Sequence, residues 1–308
     1  MATVLITGGT GMIGKALADA LLAKNYQVII FSRGTAGKQP PPNNLSYVQW
    51  DVHKQIIDKE AIAKADYIIH LAGAGVADKR WTKKRKQEIV DSRVKGGELL
   101  TKTLQENPNK VKAIISISGI GWYGPDPTVP NPNPFTEEDP AGDDFLATTC
   151  KQWEASLAPA ARQGKRVVIM RTGIVLSKEA GALKEFEKPL KFGVSTILGS
   201  GKQVISWIHI DDLVRLFIAA IEDENIKGVY NAVSPNPVSN KDFMVKLAAI
   251  KRGKFFIPVY IPSFILKLVL GEMSMEVLKS ATVSCAKLHY AGFNFLFPSA
   301  NEALNDLV

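Results

Sequence analysis

The residues with the clearest chemistry lie close to the N-terminus, in TGGTGMIG (7–14). A β-rich run precedes this stretch and a helical pattern follows it. In that setting Gly8 permits a tight turn, Gly11 lets backbone approach a pyrophosphate, and Gly14 allows the helix to pack close to the sheet. Free N–H groups and the positive dipole end of the helix would then face the phosphates, with Thr10, Met12 and Ile13 completing the turn. The second strand ends in Phe31-Ser32-Arg33. A cofactor without a 2′-phosphate calls for an acid near that point, and no Asp or Glu occurs between Asp19 and Asp51. Arg33 can pair bidentately with a 2′-phosphate and Ser32 can add a hydrogen bond, so NADP(H) is the expected cofactor.

The elements that must hold these residues alternate along the first half of the chain. TVLITG (3–8), QVIIFS (27–32), LSYVQW (45–50), DYIIHLAG (66–73), VKAIISISG (111–119) and RVVIMRTG (166–173) read as strands. Each is densely apolar rather than alternating, as strands of a parallel sheet covered on both faces should be. Helical segments separate them, which predicts an α/β fold: a doubly wound Rossmann-type parallel sheet with a smaller mixed C-terminal substrate region. The expected division is a cofactor domain over 1–172, rejoined by a strand and helix near 206–232, with 173–205 and 233–308 forming the smaller region. Residues 123–144 hold six prolines and a run of acids and cannot be regular structure. Glu137, Glu138, Asp143 and Asp144 are expected to be solvated there, with Asp143 capping the next helix. A helix is expected to start near Asp211.

The chain has 308 residues, 46% of them hydrophobic, and a formal net charge of +8. Much of the positive excess lies in 78–95. That stretch suits a solvated helix face or an anionic small molecule, and no nucleic-acid-binding pattern accompanies it. No apolar run is long enough to span a bilayer, and no membrane partner is expected. The apolar stretch 255–271 reads as buried core, with an interfacial anchor as the lesser alternative. Cys150 and Cys285 give no disulfide framework and no metal spacing, so no metal is expected and a reducing cytoplasm is the default. Cys150 is expected to be structural, and a lone His209 to be a hydrogen-bonded structural residue.

Taken together, TGGTGMIG, Asp51-Val52, HLAG (70–73) and SISGIGWYG (116–124) resemble the extended form of the short-chain dehydrogenase/reductase superfamily. Residues 70–94, 142–154, 171–183, 199–214 and 262–298 resemble its atypical epimerase-family, nucleotide-sugar-epimerase-like branch, so the likeness covers nearly the whole chain. The resemblance implies that Asp51 and Val52 contact adenine and that Leu71, Ala72 and Gly73 lie beside the ribose and nicotinamide. It implies a serine that holds the substrate oxygen, matched by Ser118 or by Ser116 on the same strand face. It also implies a tyrosine that moves a proton and a lysine that binds the ribose. Lys151 matches the lysine; the tyrosine position then falls on Ala147, which cannot ionise. Tyr123 is the substitute candidate, either as acid or as a shaper of the pocket.

Arg80, Trp81, Arg93, Trp122 and Trp207 fall where the resemblance places the substrate side, as cations for an anionic substrate and flat walls for a ring. Core packing is the stronger expectation for Trp207. The function these features predict is an NADP(H)-binding oxidoreductase or epimerase-like enzyme acting on a small anionic carbonyl or hydroxyl compound. The alternative is a non-catalytic NADPH-binding sensor, which the Ala147 position favours. Oligomeric state stays open, with a homodimer among the candidates.

Overall fold

The computed structural model describes residues 1–34 and 43–308. Its elements run β1 (Thr3–Thr7), α1 (Met12–Ala23), β2 (Gln27–Ser32), β3 (Leu45–Asp51), β4 (Ile56–Ile57), α2 (Lys59–Lys64), β5 (Tyr67–His70), α3 (Lys83–Glu106) and β6 (Ala113–Gly119). After a long proline-rich loop come α4 (Phe145–Ser156), α5 (Ala158–Arg162), β7 (Arg166–Thr172), β8 (Ile174–Leu176), α6 (Ala182–Leu190), β9 (Val194–Leu198), β10 (Val204–Ile205) and β11 (Trp207–His209). The remainder is α7 (Ile210–Glu222), β12 (Gly228–Ala232), β13 (Val238–Ser239), α8 (Asn240–Arg252), β14 (Ile257–Ile261), α9 (Ser263–Leu270), α10 (Ser274–Leu278), α11 (Ala286–Tyr290) and α12 (Ala300–Leu307).

Eight strands form the central sheet in the order β12-β7-β6-β5-β1-β2-β3-β4. Every pairing is parallel except β3 with β4. The strands are apolar throughout because both faces are covered. Val4 and Ile6 point into the core shared with Leu17, Leu21 and Phe217, while Leu5 points into the other, with Ile62, Leu100 and Leu157. The chain winds one way from β1 to β2 and β3, and the other way from β5 to β6 and β7. Their C-terminal ends therefore open a crevice at β1 and β5, the place where such sheets bind ligands.

Three short ribbons, β8 with β11, β10 with β13 and β9 with β14, build the smaller region. Buried carboxylates tether it. Asp126 in the long loop accepts hydrogen bonds from Ser280 Oγ (2.7 Å), Thr282 Oγ1 (2.8 Å) and Thr282 N (2.9 Å). Asp212 on α7 accepts from Leu296 N and Phe297 N. His209 caps α7 through Nδ1, which accepts from Asp211 N, and its ring stacks on Phe297 at 3.8 Å.

Three sequence expectations are corrected here. Residues 255–271 are not core: β14 is exposed along most of its length and α9 buries only Leu266, because no further layer of the described residues covers this ribbon. Asp144, not Asp143, caps α4 by accepting from Ala147 N (2.8 Å). Glu137 is not merely solvated either; its Oε1 accepts from Asn231 N at 2.7 Å.

Candidate cofactor and active site

The β1–α1 turn is shaped by missing side chains. Gly8 has φ +71°, and a Cβ there would lie 2.9 Å from Ala72 N and Leu71 C. A Cβ on Gly14 would run into the backbone of Gly8 and Gly9. At Gly11 an added Cβ meets, among the described residues, only Gly8 O, at 3.3 Å. Gly11 also N-caps α1 without a side chain, leaving first-turn N–H groups for an anion. The exposed Thr10 and half-buried Met12 and Ile13 complete the turn.

Thr7 ties this turn to the end of β5. Its Oγ1 accepts from Leu71 N and Ala72 N (both 3.2 Å) and lies 2.8 Å from His70 Nδ1. The ring's other nitrogen, Nε2, is buried without a hydrogen-bond partner among the described residues. Burial pushes the His70 pKa down to about 4, so the ring is neutral. Parallel register brings Thr7 level with Phe31, and Ser32 level with Gln49. Ser32-Arg33, Asp51-Val52 and Leu71-Ala72-Gly73 thus lie along the same sheet edge as the glycine turn. Arg33 is exposed, Ser32 Oγ accepts from Gly34 N (3.3 Å), and Asp51 Oδ1 accepts from His53 N and Lys54 N.

The β6–β7 end is built differently. Register places Ser118 opposite Arg171. Ser118 Oγ donates to Glu154 Oε1 at 2.8 Å, and Arg171 binds both oxygens of Glu154, each at 2.9 Å. Arg171 Nη1 also donates to Tyr123 Oη (3.2 Å), and Tyr123 Oη donates to Asn231 Oδ1 (2.7 Å). The guanidinium lies 3.6 Å from the ring centre of Trp122, whose Nε1 donates to Asp139 O. Ser118 is 3% exposed and Tyr123 is fully buried. Burial pushes the Tyr123 phenol up to about 12, although Arg171 pulls the other way. Ser116 turns toward the backbone of β5 and does not join this network.

On α4 the side chains that meet this end are Leu146, Cys150 and Glu154. A Cβ on Gly121 would touch Leu146 Cβ at 3.1 Å and Cys150 Sγ at 3.9 Å, and Cys150 Sγ lies 3.7 Å from Gly119 O. Burial, with the charge of Glu154 adding to it, pushes the Cys150 thiol up to about 11. Lys151, one residue on and so turned about 100° around the helix, is exposed. Its side chain makes no hydrogen bond or ion pair among the described residues, while Cys150 holds the inner position. Ala147 is buried under the proline-rich loop, next to Gly142. The cation that does reach the crevice is Arg93 from α3. Its Nη1 donates to Ala74 O (2.9 Å) and Ile89 O (3.0 Å), and a Cβ on Gly73 would lie 3.1 Å from its Cζ.

The remaining expected substrate residues are dispersed. Trp81 is buried, bonds Val76 O and packs edge-on against Phe145; Trp207 is fully buried and bonds Asn236 O. Both are structural, which corrects the expectation for Trp81. Arg80 is exposed and packs against Gly271 of the C-terminal region. Glu154 and Asn231 were not singled out from the sequence, since nothing local marks them. Arg171 had a clue: a charged residue inside an otherwise apolar strand needs a buried partner.

A profile of the NAD dependent epimerase/dehydratase family matches residues 4–232, about three-quarters of the chain. The chain belongs to that family. A domain of unknown function (DUF1731) matches residues 261–307. This family member is similar to epimerase family protein ML0860 of Mycobacterium leprae, with 35% identity covering 99% of this chain and 95% of the relative. It is 33% identical to epimerase family protein YfhF of Bacillus subtilis, covering 99% and 97%. Among solved structures, the human epimerase family protein SDR39U1 with NADPH superposes with a TM-score of 0.84, at 28% identity, over 99% of this chain and 98% of that one. The UDP-glucuronic acid 4-epimerase of Bacillus cereus, at 22% identity and a TM-score of 0.80, shares the fold.

Proposed function

We propose that the chain is an NADP(H)-binding oxidoreductase or epimerase-like enzyme acting on a small anionic carbonyl or hydroxyl compound. The observation that carries the cofactor choice is the end of β2, where exposed Arg33 follows Ser32 and no acid is near in sequence. Binding of NADPH by the human relative agrees with it. Gly8, Gly11 and Gly14 would hold the pyrophosphate, Asp51 and Val52 the adenine, and Leu71 to Gly73 the nicotinamide half. Arg93, from α3, would take the place of the ribose-binding cation that α4 lacks at Cys150. NADP(H), when bound, supplies or accepts a hydride; the chain's own groups position it and its partner.

A non-catalytic NADPH-binding sensor is the second reading, and one observation favours it. Ser118 donates its hydrogen bond to Glu154, Tyr123 donates its own to Asn231, and the Cys150 thiol is raised to about 11, so none is poised as an acid. Titration with NADPH and NADH tests the cofactor choice. Arg33→Glu should weaken NADPH binding at least about tenfold, or 1.4 kcal/mol, and leave NADH nearly unchanged. Equal losses for both would sink it. Turnover of bound NADPH above the buffer rate with any carbonyl compound decides for the enzyme over the sensor.

A further inference from the structure

The last ribbon and its helix turn their apolar residues outward. Phe255, two residues before β14, and Ile257 and Val259 within it alternate on one side, and all three are exposed. Phe255 is 84% exposed and Phe192, two residues before the neighbouring β9, is 86% exposed. The two backbones join there, through the hydrogen bond from Ile257 N to Gly193 O. α9, which follows β14 in the chain, carries a second exposed apolar stripe, Phe264, Ile265, Leu268 and Val269 at i, i+1, i+4 and i+5, of which Leu268 is 75% exposed. An exposed apolar patch of this extent marks an interaction surface.

The charges around it select the partner. Residues 251–270 contain Lys251, Arg252, Lys254 and Lys267 and no acid, and Lys191 adjoins Phe192. Of these five cations, only Lys251 has a carboxylate partner, Glu187, among the described residues. A second copy docking through the same face would bring the cations together, whereas a layer of anionic headgroups would pair with them. α9 has eight residues, and no helix among the described residues is long and apolar enough to cross a membrane. An element of this size lies in the headgroup plane.

We propose that this face docks on the surface of an anionic lipid bilayer. Phe192, Phe255, Phe264 and Leu268 enter the boundary between headgroups and acyl chains, and Lys191, Arg252, Lys254 and Lys267 pair with lipid phosphates. This takes up the interfacial alternative for residues 255–271, and it does not depend on the cofactor reading.

The test uses the full chain with vesicles of phosphatidylglycerol and phosphatidylcholine, and with vesicles of phosphatidylcholine alone. Co-sedimentation with the anionic vesicles, weakened by salt and slight with the neutral ones, is expected. Phe264→Asp/Leu268→Asp and Lys254→Glu/Lys267→Glu should each lower the partition about tenfold or more. All four positions are exposed, so the thermal melt should be unchanged. No binding to anionic vesicles, or equal binding by wild type and both variants, overturns the proposal. So does a concentration-dependent dimer, seen in the ultracentrifuge, that Phe264→Asp/Leu268→Asp abolishes while no vesicle binding occurs; the occupant would then be a second copy.

Discussion

The two ends of the crevice solve opposite problems. At the β1–β2 end the decisive feature is unspent hydrogen-bonding capacity: Gly11 caps α1 with no side chain, and Arg33 projects into solvent. At the β6–β7 end the polar groups are spent on each other, through Ser118, Glu154, Arg171, Tyr123 and Asn231. A binding site must keep donors free for its ligand, while buried charges are stable only when their partners are complete. The most direct way to break this contrast is Arg171→Met, which leaves Glu154 buried without its cation. We expect a loss of about 3–5 kcal/mol in urea unfolding. Glu154→Gln/Arg171→Met, which removes both charges, should recover most of that loss. A double variant as unstable as the single one would show that the two residues do not act as a charge pair.

His70 lies where the two ends meet and gives the next effect. Its pKa is about 4 in the folded protein, below the ordinary 6.5, because burial disfavours the charged ring. Between those values the unfolded chain binds a proton that the native ring refuses. The contribution is therefore fully present above pH 6.5, is lost as pH falls from 6.5 toward 4, and changes no further below that. The window corresponds to about 3 kcal/mol. Stability measured across it should fall with acid in the wild type and run flatter in His70→Asn. Parallel slopes would mean that other groups govern the acid limb.

The open end was far more legible in the sequence than the closed one. Gly8 and Gly14 are glycine because backbone from β5 or from the turn itself occupies the space of a Cβ. That steric demand is written in the residue type, as two-sided burial is written in the unbroken apolar run of β1. Glu154 and Arg171 carry no such local mark. They meet only because β6 and β7 pair with Ser118 opposite Arg171, and because α4 is rotated to bring Glu154 there. Residues 255–271 failed for a related reason: apolar composition signals burial only where another layer arrives to cover it, and none among the described residues covers α9.

The smallest expected effect is also the sharpest on α4. A shift of one residue turns a helical side chain by about 100°, enough to exchange a buried position for a solvated one. If the crevice cation is Arg93, then Arg93→Met should weaken NADPH binding about tenfold, the cost of one charge-assisted hydrogen bond. Arg93→Lys should keep part of that affinity. Lys151→Met should stay within about twofold of wild type, since its side chain is exposed while Cys150 occupies the inner position. The reverse pattern, with Lys151→Met impaired and Arg93→Met unaffected, would require α4 to rotate when the cofactor binds. It would also return the ribose to the residue that the family resemblance points to.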